Sequence, residues 1–256
     1  MSLFTAPAVA CPLVTPFAPD ETVDADALAA HADRLVEAGL DGLVPCGTSG
    51  EFASLTDAEY RTVVETVVDA ADGRVPVVAG AAGTTVAGAR ARVDIAASAG
   101  ADAVLVPTAY YHGANAPAGD VRFLERVADA SPLPVYLYNI RATVGHRLAR
   151  ETIAALADHE SVVGVKDSDG DFSEFAALVD ETPDGFQVFQ GYDTQFAGGV
   201  LAGADGGINA LSNVVPEAFV ALCDALDAGD VERARASQSR IRPLFERVAA
   251  AGFAPG

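Results

Sequence analysis

Eight short apolar segments, rich in valine, leucine and alanine, alternate along this chain with longer amphipathic segments. A short apolar run predicts a strand, and a longer amphipathic segment predicts a helix. Strands that are apolar on both faces are typical of a parallel sheet covered by helices. The predicted strands lie near residues 8–15, 42–46, 75–80, 103–107, 134–139, 162–166, 186–190 and 205–211.

This alternation predicts an α/β fold. Eight strand-and-helix units fit a closed (β/α)₈ barrel, the TIM barrel, better than an open doubly wound sheet, although composition does not exclude the second. We expect residues 1–213 to form the barrel and residues 214–256 to form a short C-terminal helical extension that packs on it. The predicted helices include 24–38, 56–71, 84–99 and 117–130 in the barrel, and 216–228 and 231–251 after the eighth strand.

The charge of the chain restricts its partners. It has 36 aspartates and glutamates against 16 lysines and arginines, a formal net charge of −20. Nucleic acid and anionic membrane surfaces would repel it. The scattered acidic residues resemble the surface of halophilic proteins.

The sequence has no signal peptide and no apolar stretch near the ~20 residues of a membrane-spanning helix. A cytoplasmic protein is therefore expected.

Cys11, Cys46 and Cys223 are too few and too unevenly spaced for a disulfide framework or a zinc site, so we expect buried thiols. A cluster of histidine, aspartate and glutamate with metal-ligand spacing is also lacking from the sequence, so no metal is expected.

The chain contains one lysine, Lys166, beside fifteen arginines. Lys166 comes at the end of the sixth predicted strand, and in a barrel the carboxyl ends of the strands carry the active site. Withdrawal from water disfavours the charged form of an amine and leaves it nucleophilic near neutral pH. Arginine cannot replace it, because a guanidinium stays protonated and does not form imines. The structural alternative is a lysine that extends to the surface or pairs with Asp167.

Two other strand ends carry reactive groups. After the second strand, glycines leave backbone N–H groups accessible beside the hydroxyls of Thr48 and Ser49, which suits a carboxylate. A tight structural turn is the alternative there. On the fifth strand Tyr136 and Tyr138 share a face, and Tyr138 is placed to exchange a proton at the barrel mouth. A buried tyrosine with a satisfied hydroxyl is its alternative.

Taken together, these motifs resemble the family that includes dihydrodipicolinate synthase, N-acetylneuraminate lyase and 2-keto-3-deoxygluconate aldolase. The resemblance covers nearly the whole chain. The matching segments, in chain order, are Gly47-Thr48-Ser49-Gly50-Glu51, Tyr110-Tyr111, Tyr138-Asn139, Gly164-Val165-Lys166-Asp167 and Gly203-Ala204-Asp205-Gly206.

The resemblance implies a role for each matching residue. Lys166 would form the Schiff base, so that no cofactor beyond this covalent imine is needed. Tyr138 would move protons, and Thr48 would link it to Tyr111, supplied across the interface of a homo-oligomer, either a dimer or a tetramer. Thr48 and Ser49 would hold the pyruvyl carboxylate. The remaining substrate contacts would be made by the backbone at Ile208 and by Ser168, Gly191 and Asp193.

Departures from the family pattern bear on the substrate. The dihydrodipicolinate synthases have arginine where this chain has Thr143, and proline where it has Arg141. The segments 134–139 and 164–167 look like those of archaeal 2-keto-3-deoxygluconate or phosphogluconate aldolases. A phosphate or sugar-acid group would then be recognised by Arg141, His112, His146 and Arg147. The alternative is that these residues form only a solvated basic patch. A further departure is length, because family members usually carry more C-terminal helix.

The expected activity is therefore reversible cleavage of 2-keto-3-deoxygluconate, or its 6-phosphate, to pyruvate and glyceraldehyde or its phosphate, as in the Entner-Doudoroff route. The alternative is 4-hydroxy-tetrahydrodipicolinate synthesis from pyruvate and aspartate semialdehyde. A third possibility, from another class, is a non-catalytic barrel that binds a keto acid.

Overall fold

The computed structural model describes residues 3–111 and 117–252, and within them eight parallel strands form one sheet. Their spatial order is β2-β1-β8-β7-β6-β5-β4-β3. A parallel bridge between Leu43 and Val77 joins the two outermost strands and closes the sheet into a barrel. The strands are β1 (Ala8–Cys11), β2 (Gly42–Leu43), β3 (Val78–Gly80), β4 (Ala103–Pro107), β5 (Val135–Asn139), β6 (Val162–Asp167), β7 (Gln187–Gln190) and β8 (Gly206–Ile208).

Helices connect the strands and cover the outside of the barrel. They are α1 (Ala25–Glu37), α2 (Asp57–Ala71), α3 (Val86–Ser98), α4 (Pro117–Ala128), α5 (Arg141–Val144), α6 (Arg150–Ala157), α7 (Phe172–Glu181), α8 (Phe196–Leu201), α9 (Pro216–Asp227) and α10 (Val231–Ala251). The (β/α)₈ barrel predicted from the sequence is thus confirmed. None of the helices within residues 3–111 and 117–252 is long and apolar enough to cross a membrane.

Several helices begin where the sequence supplies a capping side chain. Thr56 and Glu59 form a reciprocal capping box at the start of α2, and the Asp24 and Asp171 carboxylates accept N–H groups at the starts of α1 and α7. Such caps satisfy backbone donors that a helix end would otherwise leave unpaired. The predicted boundaries of α1 and α2 lie within one residue of the observed ones.

Side chains fill the barrel at its amino-terminal end. The hydroxyl of Tyr136 donates to Oε1 of Gln187 at 2.7 Å, and Nε2 of Gln187 donates to the carbonyl of Phe4 at 3.1 Å. Gly164 makes room for this layer, because a Cβ there would lie 2.4 Å from the Gln187 carbonyl oxygen and 2.7 Å from the Tyr136 ring. Open space is therefore confined to the opposite end, where the strands terminate.

The last two helices share the core of the barrel. Phe219 and Leu222 of α9, and Ile241 and Phe245 of α10, are buried in the same cluster as the outer faces of the strands. Because α9 follows β8 and lies against β1, it takes the place of the eighth barrel helix. The division into a barrel of residues 1–213 and an extension of residues 214–256 stays a prediction.

Candidate active site

Lys166 lies inside the barrel near the end of β6 and is only 4% exposed. Its Nζ lies 4.5 Å from the centre of the Tyr138 ring, which occupies the neighbouring position of β5. No carboxylate pairs with Lys166 among the residues that the structure describes. The two structural alternatives considered for Lys166 from the sequence, a position at the surface and an ion pair with Asp167, are therefore not observed.

Asp167 instead faces the outside of the barrel, where hydrogen bonds join the loop after β5 to the loop after β6. Nδ2 of Asn139 donates to Asp167 at 2.5 Å, and Oδ1 of Asn139 accepts the N–H of Leu148 at 2.9 Å. The other Asp167 oxygen accepts the N–H of Asp169 at 3.0 Å. Burial raises the pKa of the Asp167 carboxyl, against the effect of these hydrogen bonds. These bonds on the outer face hold β5 and β6 in the register that places Lys166 beside Tyr138.

The loop after β2 folds back tightly at the barrel mouth. Cys46 and Glu51 adopt left-handed backbone angles, and a Cβ on Gly50 would lie 2.9 Å from the Leu13 carbonyl oxygen. This path brings Thr48 and Ser49 to the cavity. The hydroxyl of Thr48 is buried and has no hydrogen-bond partner within the described part of the chain. A buried hydroxyl without a partner is costly, so this atom is a candidate for a partner supplied by a ligand or another subunit.

A cavity of about 690 Å³ opens at the carboxyl ends of the strands. It is far larger than a three-carbon acid requires, so room remains beyond Lys166 for a second reactant. The residues expected from the sequence that line it are Thr48, Ser49, Tyr138, Arg141, Lys166, Ser168, Gly191, Asp193 and Ile208. Tyr111 does not line it and is 85% exposed with a left-handed backbone angle.

Gly191 lies where the loop after β7 approaches the lysine. A Cβ at this position would be 1.9 Å from Oγ of Ser168 and 3.0 Å from Cε of Lys166. Only glycine therefore fits without displacing the reactive side chain. Oγ of Ser168 is buried and lacks a hydrogen-bond partner within the described ranges.

Asp193 presents a buried carboxyl group to the same cavity and is 3% exposed. Its Oδ1 accepts the N–H of Leu211 at 2.8 Å, which fixes its orientation. Burial raises the pKa of the Asp193 carboxyl to about 6, although the backbone N–H groups and the charge of Lys166 oppose this. A carboxyl group held in this way accepts hydrogen bonds from hydroxyl groups when ionised.

The structure describes three of the four basic residues considered for anion recognition, and each of the three pairs with a carboxylate. Arg141 lines the cavity and pairs with Asp169 at 3.2 Å. Arg147 also pairs with Asp169, and with further carboxylates of the loop before α7 and of that helix. His146 lies 2.8 Å from Asp120. His112 lies outside the described residues.

Among the lining residues that were not identified from the sequence are Tyr192, Asp169 and Phe245. Tyr192 and Asp169 are next to predicted site residues, so their neighbours gave a partial signal. Phe245 comes from α10 and contacts the cavity only through the tertiary packing of that helix.

The three cysteines are buried thiols as expected, and burial raises the pKa of the Cys11 thiol to about 12.

A model of the dihydrodipicolinate synthetase family matches residues 6–255. The chain belongs to this family. An uncharacterized DapA-like lyase of Halobacterium salinarum is 43% identical over 230 residues, which cover 90% of this chain and 75% of that protein. A 4-hydroxy-tetrahydrodipicolinate synthase of Natronomonas pharaonis is 40% identical over 234 residues, 91% of this chain and 79% of that protein.

Solved structures agree with this assignment. YagE of Escherichia coli K12, a prophage protein of the dihydrodipicolinic acid synthase family in complex with pyruvate, superposes with a TM-score of 0.89 at 33% identity. The match covers 93% of this chain and 80% of YagE. Members of the family are pyruvate-dependent lyases of the class I aldolase type, and the prediction of such an enzyme is confirmed. The nearer likeness to 2-keto-3-deoxygluconate aldolases stays a prediction.

The raised pKa of Asp193 predicts that this carboxylate destabilises the folded protein at neutral pH. Since the folded protein binds the proton more tightly than the unfolded chain does, the stabilising effect of protonation is present at low pH and is lost as pH rises through about 6. Asp193→Asn retains an acceptor for Leu211 without the charge. At pH 8 the variant should have a free energy of unfolding higher by about 2–3 kcal/mol, and at pH 4 the difference should nearly vanish.

Urea unfolding at constant salt measures this difference. Asp171→Asn is the control with the opposite sign, because hydrogen bonds to its carboxylate lower the pKa of Asp171. That variant should be less stable than the wild type at neutral pH and should approach it as pH falls. An Asp193→Asn variant less stable than the wild type at pH 8 would contradict the assignment.

Proposed function

We propose that this enzyme cleaves 2-keto-3-deoxygluconate, or its 6-phosphate, reversibly to pyruvate and glyceraldehyde or glyceraldehyde 3-phosphate. The observation that carries the proposal is the buried Lys166 beside Tyr138 in a cavity whose wall also presents Ser168 and Asp193. The amine suits a keto acid, and the hydroxyl and carboxyl groups suit a hydroxylated chain.

The reaction begins at Lys166, whose amine attacks the C2 carbonyl carbon of the keto acid and forms an imine with loss of water. The imine withdraws electrons from the C3–C4 bond. Tyr138 removes the proton of the C4 hydroxyl, the C3–C4 bond breaks, and the aldehyde leaves. The enamine that remains is protonated at C3 to the pyruvate imine, and water then releases pyruvate from Lys166.

The loop after β2 holds the other end of the keto acid in this proposal. Thr48 and Ser49 bind the pyruvyl carboxylate with their hydroxyls and backbone N–H groups, and the backbone at Ile208 borders the same region. Binding the carboxylate there orients C2 toward Lys166. No cofactor beyond the covalent imine takes part in this scheme.

The other polar groups of the cavity favour a substrate rich in hydroxyl groups. Oγ of Ser168 is buried without a partner among the described residues, and the Asp193 carboxyl is buried in the wall of the same cavity. Substrate hydroxyls would bond both groups, whereas an aldehyde without hydroxyls would leave the Ser168 hydroxyl without a partner. Discrimination of this kind is strong because a buried polar group without a partner is destabilising.

Arg141 supports binding of the phosphorylated form. Its side chain lines the cavity and is 59% exposed, and one ion pair of 3.2 Å joins it to Asp169. Because Arg147 also pairs with Asp169, Arg141 can turn toward a substrate phosphate without leaving that buried carboxylate unpaired. The same guanidinium could instead bind the carboxylate of another substrate.

The second candidate is 4-hydroxy-tetrahydrodipicolinate synthesis. It is favoured by the names of relatives, including the Natronomonas pharaonis protein and a 4-hydroxy-tetrahydrodipicolinate synthase of Exiguobacterium sp. that is 37% identical over 240 residues. Such synthases have arginine at the position that Thr143 occupies in this chain. In that reaction Arg141 would therefore bind the carboxylate of aspartate semialdehyde in place of that arginine.

The catalytic unit in this proposal is a homo-oligomer, either a dimer or a tetramer. Phe52, Tyr110 and Val144 line a small apolar pocket together with Thr48, whose hydroxyl is buried. In this proposal Tyr111 of a second subunit bonds Thr48, which would extend the proton path from Tyr138. The exposure and left-handed backbone of Tyr111 support a side chain directed away from its own subunit.

A substrate comparison tests the proposal. Release of pyruvate from 2-keto-3-deoxygluconate and its 6-phosphate is measured beside condensation of pyruvate with aspartate semialdehyde, in high salt to screen the acidic surface. We expect the highest kcat/KM with one of the sugar acids. A higher value with aspartate semialdehyde would assign the synthase reaction instead, and pyruvate binding without turnover on any substrate would indicate the non-catalytic barrel.

Tyr138→Phe tests the proton-transfer step. The loss of general acid–base catalysis should lower kcat by roughly 10²–10⁴-fold, while the imine with pyruvate still forms on Lys166. Tyr136→Phe is the matched control, since Tyr136 lies on the same face of β5 and its hydroxyl bonds Gln187 at the closed end of the barrel. The control should lose stability and keep its turnover. Full turnover in Tyr138→Phe would exclude the assigned role.

A further inference from the structure

The loop after β7 is held from outside the barrel by one side chain of α10. Nε2 of Gln238 donates to the carbonyl oxygen of Asp193 at 2.9 Å. Oε1 of the same amide accepts the N–H of Ala197, in the first turn of α8, at 2.9 Å. A single side chain therefore joins the cavity loop to the helix that follows it.

A second contact from α10 supports the same loop. The ring of Phe245 packs on Tyr192, with ring centres 5.0 Å apart, and both rings line the cavity. Tyr192 stands between Gly191, which approaches Lys166, and Asp193. The segment nearest to the reactive amine is thus attached to α10 at two adjacent residues.

Two hydrogen bonds of different origin act on Asp193, one on its main chain and one on its carboxyl group. Gln238 holds the main chain of Asp193, and the N–H of Leu211 holds its side chain from the loop after β8. Neither bond alone fixes the position, because a side chain can turn about a fixed backbone and a backbone can shift under a fixed carboxyl. Both groups of the Gln238 amide are used, so a side chain of the same size without them would not substitute.

We propose that Gln238 is a positioning residue, which holds Asp193 where the hydroxyl groups of the aldehyde bind. The proposal rests on the proposed function for the role of Asp193. It places part of the substrate selectivity in α10, outside the eight strands that supply Lys166 and Tyr138. Gln238 touches no substrate and acts only through Asp193.

The first test needs no substrate. Gln238→Met keeps the length of the side chain and removes both hydrogen bonds. If Gln238 positions Asp193, the bond from the Leu211 N–H to Asp193 weakens in this variant and the Leu211 amide exchanges its hydrogen faster, although that N–H donates to the Asp193 side chain and not to the main chain that Gln238 holds. Ser239→Ala is the control on the same helix, because its hydroxyl donates within α10 to the Arg235 carbonyl. Unchanged exchange at Leu211 in Gln238→Met would overturn the proposal.

The second test measures selectivity. In condensation with pyruvate, Gln238→Met should lower the ratio of kcat/KM for glyceraldehyde to that for propanal by about tenfold, the effect of a hydrogen bond to a displaced group. Formation of the pyruvate adduct on Lys166 should not change. Gln238→Glu, which keeps an acceptor for Ala197 but cannot donate to Asp193 when ionised, should show the same loss.

Asp193→Ala supplies the decisive background. There, Gln238→Met should have no further effect on the aldehyde ratio, since the group that it positions is absent. An equal effect in both backgrounds, or a uniform loss with both aldehydes and with pyruvate, would show a merely structural role and overturn the proposal. If the wild type forms the adduct but uses neither aldehyde, the proposed function fails, and exchange at Leu211 alone decides the role of Gln238.

Discussion

The amine of Lys166 is buried beside an aromatic ring and has no carboxylate partner in the part of the chain that the structure describes. The remaining features of the site follow from that arrangement. The layer of Tyr136, Gln187 and Phe4 closes the amino-terminal end of the barrel to water. Glycine at position 191 leaves the amine side chain its space. The neighbouring carboxylate, Asp167, is directed to the outer face, where it accepts a hydrogen bond from Asn139.

The residues that line the cavity are placed by different means. Strand register places Lys166 beside Tyr138, so this pair depends on backbone pairing within the barrel. Asp193 is held through the N–H of Leu211 in the loop after β8 and through Gln238 of α10, so its position depends on contacts outside the strands. Because loops change more readily than strands, the surroundings of Asp193 can vary while the pair in the strands is kept. Burial raises the pKa of the Asp193 carboxyl to about 6, so its charged form is unfavourable for stability, as is common at functional sites.

Much of this arrangement could be predicted from local patterns. The eight apolar runs predicted the strands, alternation placed Tyr136 and Tyr138 on one face, and the single lysine was the candidate amine at a strand end. What local patterns could not supply were contacts between distant parts of the chain. Gly191 matched a family position, but glycine is required there because the backbone comes close to Ser168 and Lys166. Arg147 and His146 looked available for an anion, yet Asp169 and Asp120 pair with them, which no spacing along the chain reveals. Gln238 lies 45 residues beyond the carbonyl that it binds and carried no sequence signal.

Trapping of the imine tests the central claim most directly. The protein is incubated with pyruvate and borohydride in salt that keeps it folded, and the adduct is located by peptide mass spectrometry. Because Lys166 is the only lysine, the only other amine to separate from it is the N-terminal one. The account predicts a reduced pyruvyl adduct on Lys166 and none at this position in Lys166→Arg. A folded wild-type protein that gains no adduct on Lys166 would contradict the account.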